Sequence, residues 1–406
     1  MSRTRPNLVL LVVGLGTLLG AMAGSMVNLA LPSIGRDLNV SIESSRWVVQ
    51  AFLIVTAVVL LPAGRLGDLI GHRRVYLIGF ALFGVTSIAC GLAGSFPVLV
   101  GARILQGLGA AMLIAVAPAL LTTTFPPEKR GRALGVMSTA TYIGLTISPP
   151  LTGLIISVLD WRWTFYLMAP VAALICALGL ACLPRGTRAS SPAPLFDLTL
   201  FRSPVFRWSV LAAMFNYVAL FTAVLLMPFY LEEGRELSPA AVGLVLAAQP
   251  MVMALTASPS GWLSDRIGTR ALTVVGMILT AGGLGGMASL SPTSSPWVAA
   301  GWLALMGLGT GIFISPNSSA LMGAAPRERQ GIAGSVMAEA RTMGMLLGVV
   351  LSTGVFQAAG GSTGEAWEAA DFGALRLALL AGVAAAVISA LAAALSYQPS
   401  RSNQSR

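Results

Sequence analysis

Three charged residues lie inside long apolar runs of this sequence, where a charge is costly and usually functional: Arg103, Glu339 and Arg341. The run that contains Glu339 starts near residue 331, eight residues before it. If the run is a helix, Glu339 lies about 12 Å along its axis, which predicts a position near the middle of a membrane. A carboxyl group there can gain and lose a proton. We expect Glu339 to exchange protons; the alternative is a permanent pair with Arg341 or Gln50 that orders an interface.

Arg103 is a second candidate for a functional charge. A guanidinium keeps its proton, so Arg103 can act on a neighbouring group or hold backbone carbonyls, and a purely structural role is the alternative. One histidine in a loop and three cysteines without paired or metal-like spacing offer little else. We therefore expect no metal site, no cofactor, no catalytic residues and no enzyme activity.

A charged cluster stands out at "AGRLGDLIGHRRVYL", Ala63 to Leu77, and it recurs 197 residues later as "SPSGWLSDRIGTRAL". A second pair of segments, "QGLGAA" and "MGLGTG", recurs at an offset of 200 residues, so the chain contains an internal repeat. We expect each charged copy to be a short turn between antiparallel helices, with Gly71 at positive φ. The residues that define the two copies are Gly64, Asp68, Gly71, Arg73, Arg74, Gly261, Asp265 and Arg270.

Charged residues make up 10% of the 406 and hydrophobic residues 56%, which excludes an ordinary soluble domain. The apolar runs have the ~17–25 residue length of membrane helices, and we expect the first to be retained rather than cleaved as a signal peptide. The net charge of +10 lies in short links, so we expect a lipid bilayer as partner and no nucleic acid. The predicted spans are 8–32, 46–64, 75–94, 97–122, 133–157, 163–183, 207–230, 239–260, 271–290, 296–320, 331–357 and 373–397.

The longest polar break, residues 183–207, divides the chain almost in half. The sequence predicts an all-α polytopic membrane protein with two pseudo-symmetric six-helix bundles, residues 1–184 and 207–406, joined by a cytoplasmic linker at 185–206. Eighteen of the 25 Lys and Arg residues fall on the side of the termini and five on the other. This asymmetry predicts cytoplasmic termini in a multi-pass protein of the cell membrane.

Several motifs resemble those of the major facilitator superfamily. "GRLGDLIGHRR" is similar to its loop motif between spans 2 and 3, and "RILQGLGAA" to its span-4 motif. "MVNLALPSI" and "WRWTFYLMAP" look like its drug:proton antiporter branch, which generally has fourteen spans. "GVMSTATYIGLTISPPLTG" resembles the span-5 antiporter motif at Gly135, Gly144, Pro149 and Gly153, with Ser148 and Thr152 where glycine is usual.

The resemblance implies a monomeric secondary transporter that exports small amphipathic compounds against protons by alternating access, with the loop motif as a gate and the span-4 Arg103 in proton transfer or cavity electrostatics. Two departures bear on it: the two extra spans are absent, and Ala23 stands where that branch often has an acid. A coupled importer, an uncoupled facilitator and a non-transporting receptor or scaffold remain alternatives. The expected substrate-cavity residues are Ser25, Asn28, Asn216, Tyr217, Phe221 and Asn317.

Overall fold

The computed structural model describes residues 6–184, 198–326, 330–361 and 367–396. They form twelve helices long and apolar enough to cross a membrane, which confirms the predicted number. Residues 185–197 of the predicted linker lie outside the described residues. In chain order, α1 to α12 are Pro6–Asp37, Trp47–Ile70, His72–Gly91, Phe96–Thr124, Pro127–Val158, Trp163–Cys182, Pro204–Glu232, Pro239–Ile267, Thr269–Met287, Pro296–Gly323, Gln330–Ala358 and Ala369–Leu395.

Local sequence explains where several helices begin. Hydrocarbon cannot satisfy backbone polar groups, so an apolar segment that crosses it must form its hydrogen bonds internally. The helices α7, α8 and α10 each start with a Ser-Pro pair, in which proline occupies the first helical position and the preceding serine accepts a backbone N–H. These three starts are therefore encoded locally.

The charged turn at Ala63–Leu77 is shorter than predicted. The helix α2 continues to Ile70 and α3 begins at His72, which leaves Gly71 alone between them, at φ 100°. The second copy is alike, with Gly268 at φ 88° between α8 and α9. The predicted spans ended where the apolar residues end, but a helix can continue past the hydrocarbon into water.

The helices form two sets, the N bundle (α1–α6) and the C bundle (α7–α12). In the N bundle α3 and α2 pack against α4, and α1 packs against α5; in the C bundle α9 and α8 pack against α10, and α7 against α11. The two sets thus repeat the same arrangement. Between the bundles, α5 packs against α8, α2 against α11 and α1 against α7. We call the side where α1 begins and α12 ends the terminal side, and the opposite one the far side.

Glycines bring helix backbones into contact inside the N bundle. A Cβ on Gly107 of α4 would lie 2.7 Å from the carbonyl oxygen of Phe52 in α2. A Cβ on Gly109 would lie 3.0 Å from the carbonyl oxygen of Gly79 in α3. The helix α4 is therefore held between α2 and α3 at positions that admit only glycine without a shift of a backbone.

The C bundle repeats these contacts at the equivalent residues. Gly307 of α10 packs on the backbone of Gln249 in α8, and Gly309 packs on the backbone of Gly276 in α9. The sequence "GLG" also occurs in dinucleotide-binding loops, but here it lies within helices and its glycines serve helix packing, as expected for small residues in a membrane.

Substitution at these contacts should destabilise the fold. Gly109→Ala and Gly309→Ala each place a Cβ against a neighbouring backbone, so we expect a loss of about 1–3 kcal/mol, measured as a lower Tm in detergent micelles. On the same two helices, a Cβ added at Gly101 or Gly301 would meet no atom within 4 Å. Gly101→Ala and Gly301→Ala should therefore leave Tm unchanged, and equal Tm losses in all four variants would contradict the packing role.

Candidate functional site

A buried polar network surrounds Arg103, whose side chain is 1% exposed. Its Nε atom donates to the carbonyl oxygen of Val48 at 2.8 Å and its Nη1 atom donates to Oε1 of Gln106 at 2.5 Å. Gln106 donates in turn to Oγ of Ser87 at 2.8 Å. The guanidinium also lies 4.2 Å from the ring centroid of Phe52. The network ties α2, α3 and α4 together around a positive charge, and no carboxylate bonds this charge among the described residues.

The equivalent positions in the C bundle are apolar. The repeat offsets of 197 and 200 residues place Leu284, Met287, Leu303 and Met306 where the N bundle has Ser87, Cys90, Arg103 and Gln106. All four are buried in the hydrophobic core of the C bundle. The same backbone arrangement is therefore stable without a polar network, and packing alone does not require Arg103.

Glu339 lies in α11, and its Oε2 atom is buried without a hydrogen-bond partner. Neither Arg341 nor Gln50 forms an ion pair or hydrogen bond with it within the described ranges. The midpoint of the 29-residue α11 is Gly344, as it is for the predicted span, and Glu339 lies about 7.5 Å from it toward the terminal side. Among the described residues, its buried Oε2 atom has no hydrogen-bond partner.

Aromatic and basic groups of the two bundles meet near this level. Tyr142 of α5 interacts electrostatically with Tyr217 of α7 and with Arg341 of α11. Phe221 packs against the hydrophobic cores of both bundles. These side chains therefore lie between the bundles, and Tyr217, Phe221 and Ser25 are all partly exposed there.

The three predicted asparagines of the cavity are buried instead. Asn28 donates to the carbonyl oxygen of Gly24 in its own helix, and Asn317 donates to that of Ser209 at 3.1 Å, joining α10 to α7. Neither amide atom of Asn216 has a partner among the residues that the structure describes. In this conformation the asparagines lie within helix packing, while Ser25, Tyr217 and Phe221 are accessible.

The charged turn of the N bundle is held by contacts within that bundle. Asp68 Oδ1 lies 3.2 Å from Nε2 of His72, one helical turn on and at the start of α3. Arg73 donates to the carbonyl oxygen of Leu180 at 2.6 Å, at the end of α6. Arg74 is exposed. Asp68 thus pairs with His72 and the N-terminal end of α3, where a negative charge is favourable.

The close approach at this turn is made by Gly67, which the sequence interpretation did not single out. A Cβ on Gly67 would lie 2.8 Å from Val116 of α4, whereas one on Gly64 would lie at an ordinary 3.9 Å from Ala115. In the second copy, Gly261 lies against Ser315 of α10 and Arg270 is exposed. The side chain of Asp265 lies outside the described part of the chain.

Glycines of α5 pack it against helices of both bundles. A Cβ on Gly144 would lie 2.7 Å from the carbonyl oxygen of Leu18 in α1. Gly153 packs on the backbone of Pro239 in α8, and Gly243 of α8 packs on the backbone of Pro149 in α5. The last two contacts are reciprocal, because each helix offers a proline and a glycine four residues apart. Gly135 is exposed, and a Cβ there would meet no atom of the described residues within 4 Å.

Polar contacts also join the bundles, and they lie at the far side. Arg36, in the last turn of α1, forms an ion pair with Glu232, the last residue of α7. Arg46, just before α2, donates to Oγ1 of Thr353 in α11 at 2.9 Å. Together with the crossing of α5 and α8, these contacts close the far side. No sequence signal pointed to either pair, because their partners lie in different halves of the chain.

A smaller ionic cluster lies at the far side of the N bundle. Arg162 lies 2.9 Å from both Asp37 and Asp160, and its guanidinium stacks 4.4 Å from the ring centroid of Trp161. The cluster borders an open depression of about 660 Å³ between the ends of α1 and α5 and the start of α8. No group of three His, Cys, Asp or Glu side chains placed to hold a metal ion occurs within the described ranges.

Known proteins resemble the chain over nearly its whole length. The riboflavin transporter RibZ of Clostridioides difficile is 27% identical over 86% of this chain and 88% of its own. The tetracenomycin C resistance and export protein of Streptomyces glaucescens is 30% identical, covering 86% of this chain and 76% of its own. The multidrug resistance protein Stp of Mycobacterium tuberculosis is 31% identical, with coverage of 88% and 77%.

The fold has a solved counterpart as well. A bacterial homologue of the human lysosomal transporter Spinster, in an inward-facing and occupied conformation, matches with a TM-score of 0.79 at 17% identity, over 98% of this chain and 97% of that one. The model of the Major Facilitator Superfamily matches residues 13–349 and 210–403. The family predicted from the motifs is thus confirmed, and this chain is a multi-pass membrane transporter that belongs to the Major Facilitator Superfamily.

Proposed function

We propose that the chain is a proton-coupled exporter of small amphipathic or hydrophobic compounds. The observation that carries this proposal is the buried Oε2 atom of Glu339 inside α11, which has no hydrogen-bond partner among the described residues. A carboxylate within hydrocarbon is costly unless it is paired or neutral. Glu339 has no cation partner within the described ranges, so its environment favours the neutral acid, and it can release the proton when the surroundings become wet.

Alternating access would supply that change of surroundings. In this structure the far side is closed by contacts of α1 with α7, α2 with α11 and α5 with α8. If these contacts break and re-form as the bundles rock, the space beside Tyr217 and Phe221 opens to each side in turn, and the access of water to Glu339 changes with it. Closure at the far side is a feature of inward-facing and of occluded arrangements when the termini are cytoplasmic, which the asymmetry of Lys and Arg favours.

The accessible side chains between the bundles favour a largely apolar substrate. Tyr217 and Phe221 offer aromatic faces, and Met22 and Met214 offer adaptable apolar contacts, all partly exposed. Two of the relatives are named for drug resistance or export. We therefore assign amphipathic compounds as substrates, the proton gradient as the energy source without a cofactor, and a monomer in the cell membrane as the working form.

A second candidate is an importer or facilitator of a small metabolite. Ala23, fully buried in α1, stands where the drug:proton branch often has an acid, and one relative is named as a riboflavin transporter. This candidate needs no coupling by Glu339, so the two proposals differ in a measurable way. A receptor or scaffold that moves no solute is a more remote alternative.

Glu339→Gln should abolish proton coupling. In proteoliposomes with an imposed pH gradient, a panel of amphipathic compounds should cause proton flux with the parent chain and not with this variant, because glutamine cannot exchange a proton. The matched control is Glu236→Gln, since Glu236 is an exposed acid outside the spans. The facilitator would be favoured if solute flux through the parent chain does not depend on the pH gradient, or if Glu339→Gln causes the same proton flux as the parent.

Gly243→Ala should weaken closure of the far side. The added methyl group meets the backbone of Pro149 across the interface, so the bundles must separate there. The measurement uses a chain in which Cys90, Cys176 and Cys182 are replaced and cysteines are introduced at positions 46 and 353. With Gly243→Ala, we expect a lower yield of the product in which a short thiol crosslinker joins these two cysteines. Gly135→Ala on α5 has no neighbour to meet and is the control; equal yields in both would argue against a moving interface.

The role of the hydrogen-bond network around Arg103 can be tested by replacing its residues with the apolar residues found at the equivalent positions of the C bundle. Arg103→Leu, Gln106→Met, Ser87→Leu and Cys90→Met together install residues that the equivalent backbone already accommodates. Replacing a buried charged network by apolar residues is often neutral for stability. We therefore expect a Tm close to that of the parent and a loss of transport of tenfold or more, roughly 1.4 kcal/mol in the barrier. Normal transport would leave Arg103 a structural residue.

A further inference from the structure

Glu232 is a buried carboxylate whose counterion comes from the other bundle. Its side chain is 3% exposed at the end of α7, whereas the side chain of Arg36 at the end of α1 is 56% exposed. Arg36 bonds Oε1, and the buried Oε2 has no hydrogen-bond partner among the described residues. The carboxylate therefore depends on one arginine, and that arginine reaches it only while the far side is closed.

Among the described residues, Arg36 is the only cation that bonds Glu232. The far-side halves of α8, α10 and α11, which pack against α7, carry no charged residue. Ser33, one turn before Arg36, is a second polar neighbour from α1. The other charged residues near this end of α7 are Glu233, Arg235, Glu236, Glu368, Asp371 and Arg376.

Glu233, the next residue, has a different partner. Its Oε2 atom accepts a hydrogen bond from Nε1 of Trp367 at 3.2 Å, which lies in the C bundle. Burial raises the pKa of Glu233 and the nearby Asp371 carboxylate adds to this shift, whereas the hydrogen bond from Trp367 and the charge of Arg36 lower the pKa. Because Glu233 and Trp367 belong to one bundle, their contact does not need to break when the bundles move apart.

Separation of the bundles removes the partner of Glu232, whereas Glu233 keeps the hydrogen bond from Trp367. When Arg36 withdraws, the carboxylate stays at a buried site without its counterion, which is strongly unfavourable unless the group takes up a proton. Opening of the far side and proton binding are therefore linked. By reciprocity, a proton bound at Glu232 favours opening by the same factor by which opening favours the proton.

We propose that Glu232 is a second proton-binding residue of the transport cycle, and that its ion pair with Arg36 holds the far side closed until a proton arrives. The proposal rests on the alternating access put forward above. Glu232 and Glu339 lie on opposite sides of the middle of the C bundle, so the first would receive the proton on the far side and the second would carry it further. In an exporter, the proton would thus open the side on which the substrate leaves.

The test measures the opening of the far side directly. Spin labels on Gly94→Cys and Thr293→Cys, exposed links of the N and C bundles, report the far-side distance by double electron–electron resonance in lipid nanodiscs. The three native cysteines are replaced by alanine. As the pH falls from about 8 to about 5, the long-distance population of the parent should grow, with an opening constant that rises up to about tenfold per pH unit for one linked proton.

Variants separate Glu232 from the other acids. Glu232→Gln should show the long-distance population already at the highest pH, with no further response to pH. Arg36→Lys keeps the positive charge and should keep the response, as should Glu233→Gln. A full pH response in Glu232→Gln, or its loss only in Glu233→Gln or Glu339→Gln, would overturn the proposal while leaving alternating access intact.

The same measurement detects failure of the broader scheme. If a long-distance population is absent from every variant at every pH and with every amphipathic compound, the bundles do not alternate. In that case both alternating access and the role of Glu232 are refuted. If the parent opens equally at every pH, alternating access stands and the role of Glu232 is refuted. Retained folding of Glu232→Gln is checked by the short-distance population, which it should share with the parent.

Discussion

Contact between helix backbones at glycines is the constraint on which this structure depends. Hydrocarbon offers no hydrophobic reason for one apolar helix to pack on another, so close van der Waals contact must hold them together. Gly107 and Gly109 fix α4 between α2 and α3, and Gly307 and Gly309 do the same for α10. Each bundle thereby has a central helix whose neighbours cannot move away without losing most of its contacts.

The contacts between the bundles are of another kind. Gly153 and Gly243 also touch a backbone, but they do so at the far side of α5 and α8, beside proline residues. The remaining far-side contacts described above are polar, from Arg36 and Arg46. The contact of the partly exposed Arg46 can be exchanged for water with little net change in free energy, whereas loss of Arg36 leaves Glu232 buried without its counterion unless the carboxyl group takes up a proton. The structure thus combines rigid bundles with an interface that can open at its wet end.

Much of the fold follows from the sequence, because a membrane span depends mainly on its own composition. The twelve apolar runs predict the twelve helices, and the repeat predicts the equivalent packing of the two bundles. The ends of helices were less predictable: α2 continues through Arg65 and Asp68 to Ile70, since hydropathy shows where hydrocarbon ends and not where the helix ends. The single-residue turn depends on Gly71, whose positive φ was foreseen.

The site was harder to predict because its residues act through partners that are distant in sequence. Position within a run identified Arg103 and Glu339, but gave no sign that Gln106 and Ser87 complete the network around the arginine. Asn216 looked like a cavity residue because it is polar and lies in α7, whereas the side chain faces into the packing. Glu232 gave no signal, since an acid at the end of a span is ordinary. Only its pairing with Arg36, 196 residues earlier, distinguishes it.

The buried charges of the two bundles differ in whether their partners can change when the bundles move. The N bundle holds its buried charge permanently, since each hydrogen bond described for Arg103 stays inside that bundle. The C bundle carries Glu339 and Glu232 where partners can change: Glu339 has none among the described residues, and Glu232 takes its partner from α1. Hydrogen bonds that stay inside one bundle do not by themselves tie proton binding to the conformation, whereas an acid whose partner depends on the conformation does. Coupling of protons to movement therefore requires acids whose partners depend on the conformation, and in the described part of the chain these acids lie in the C bundle.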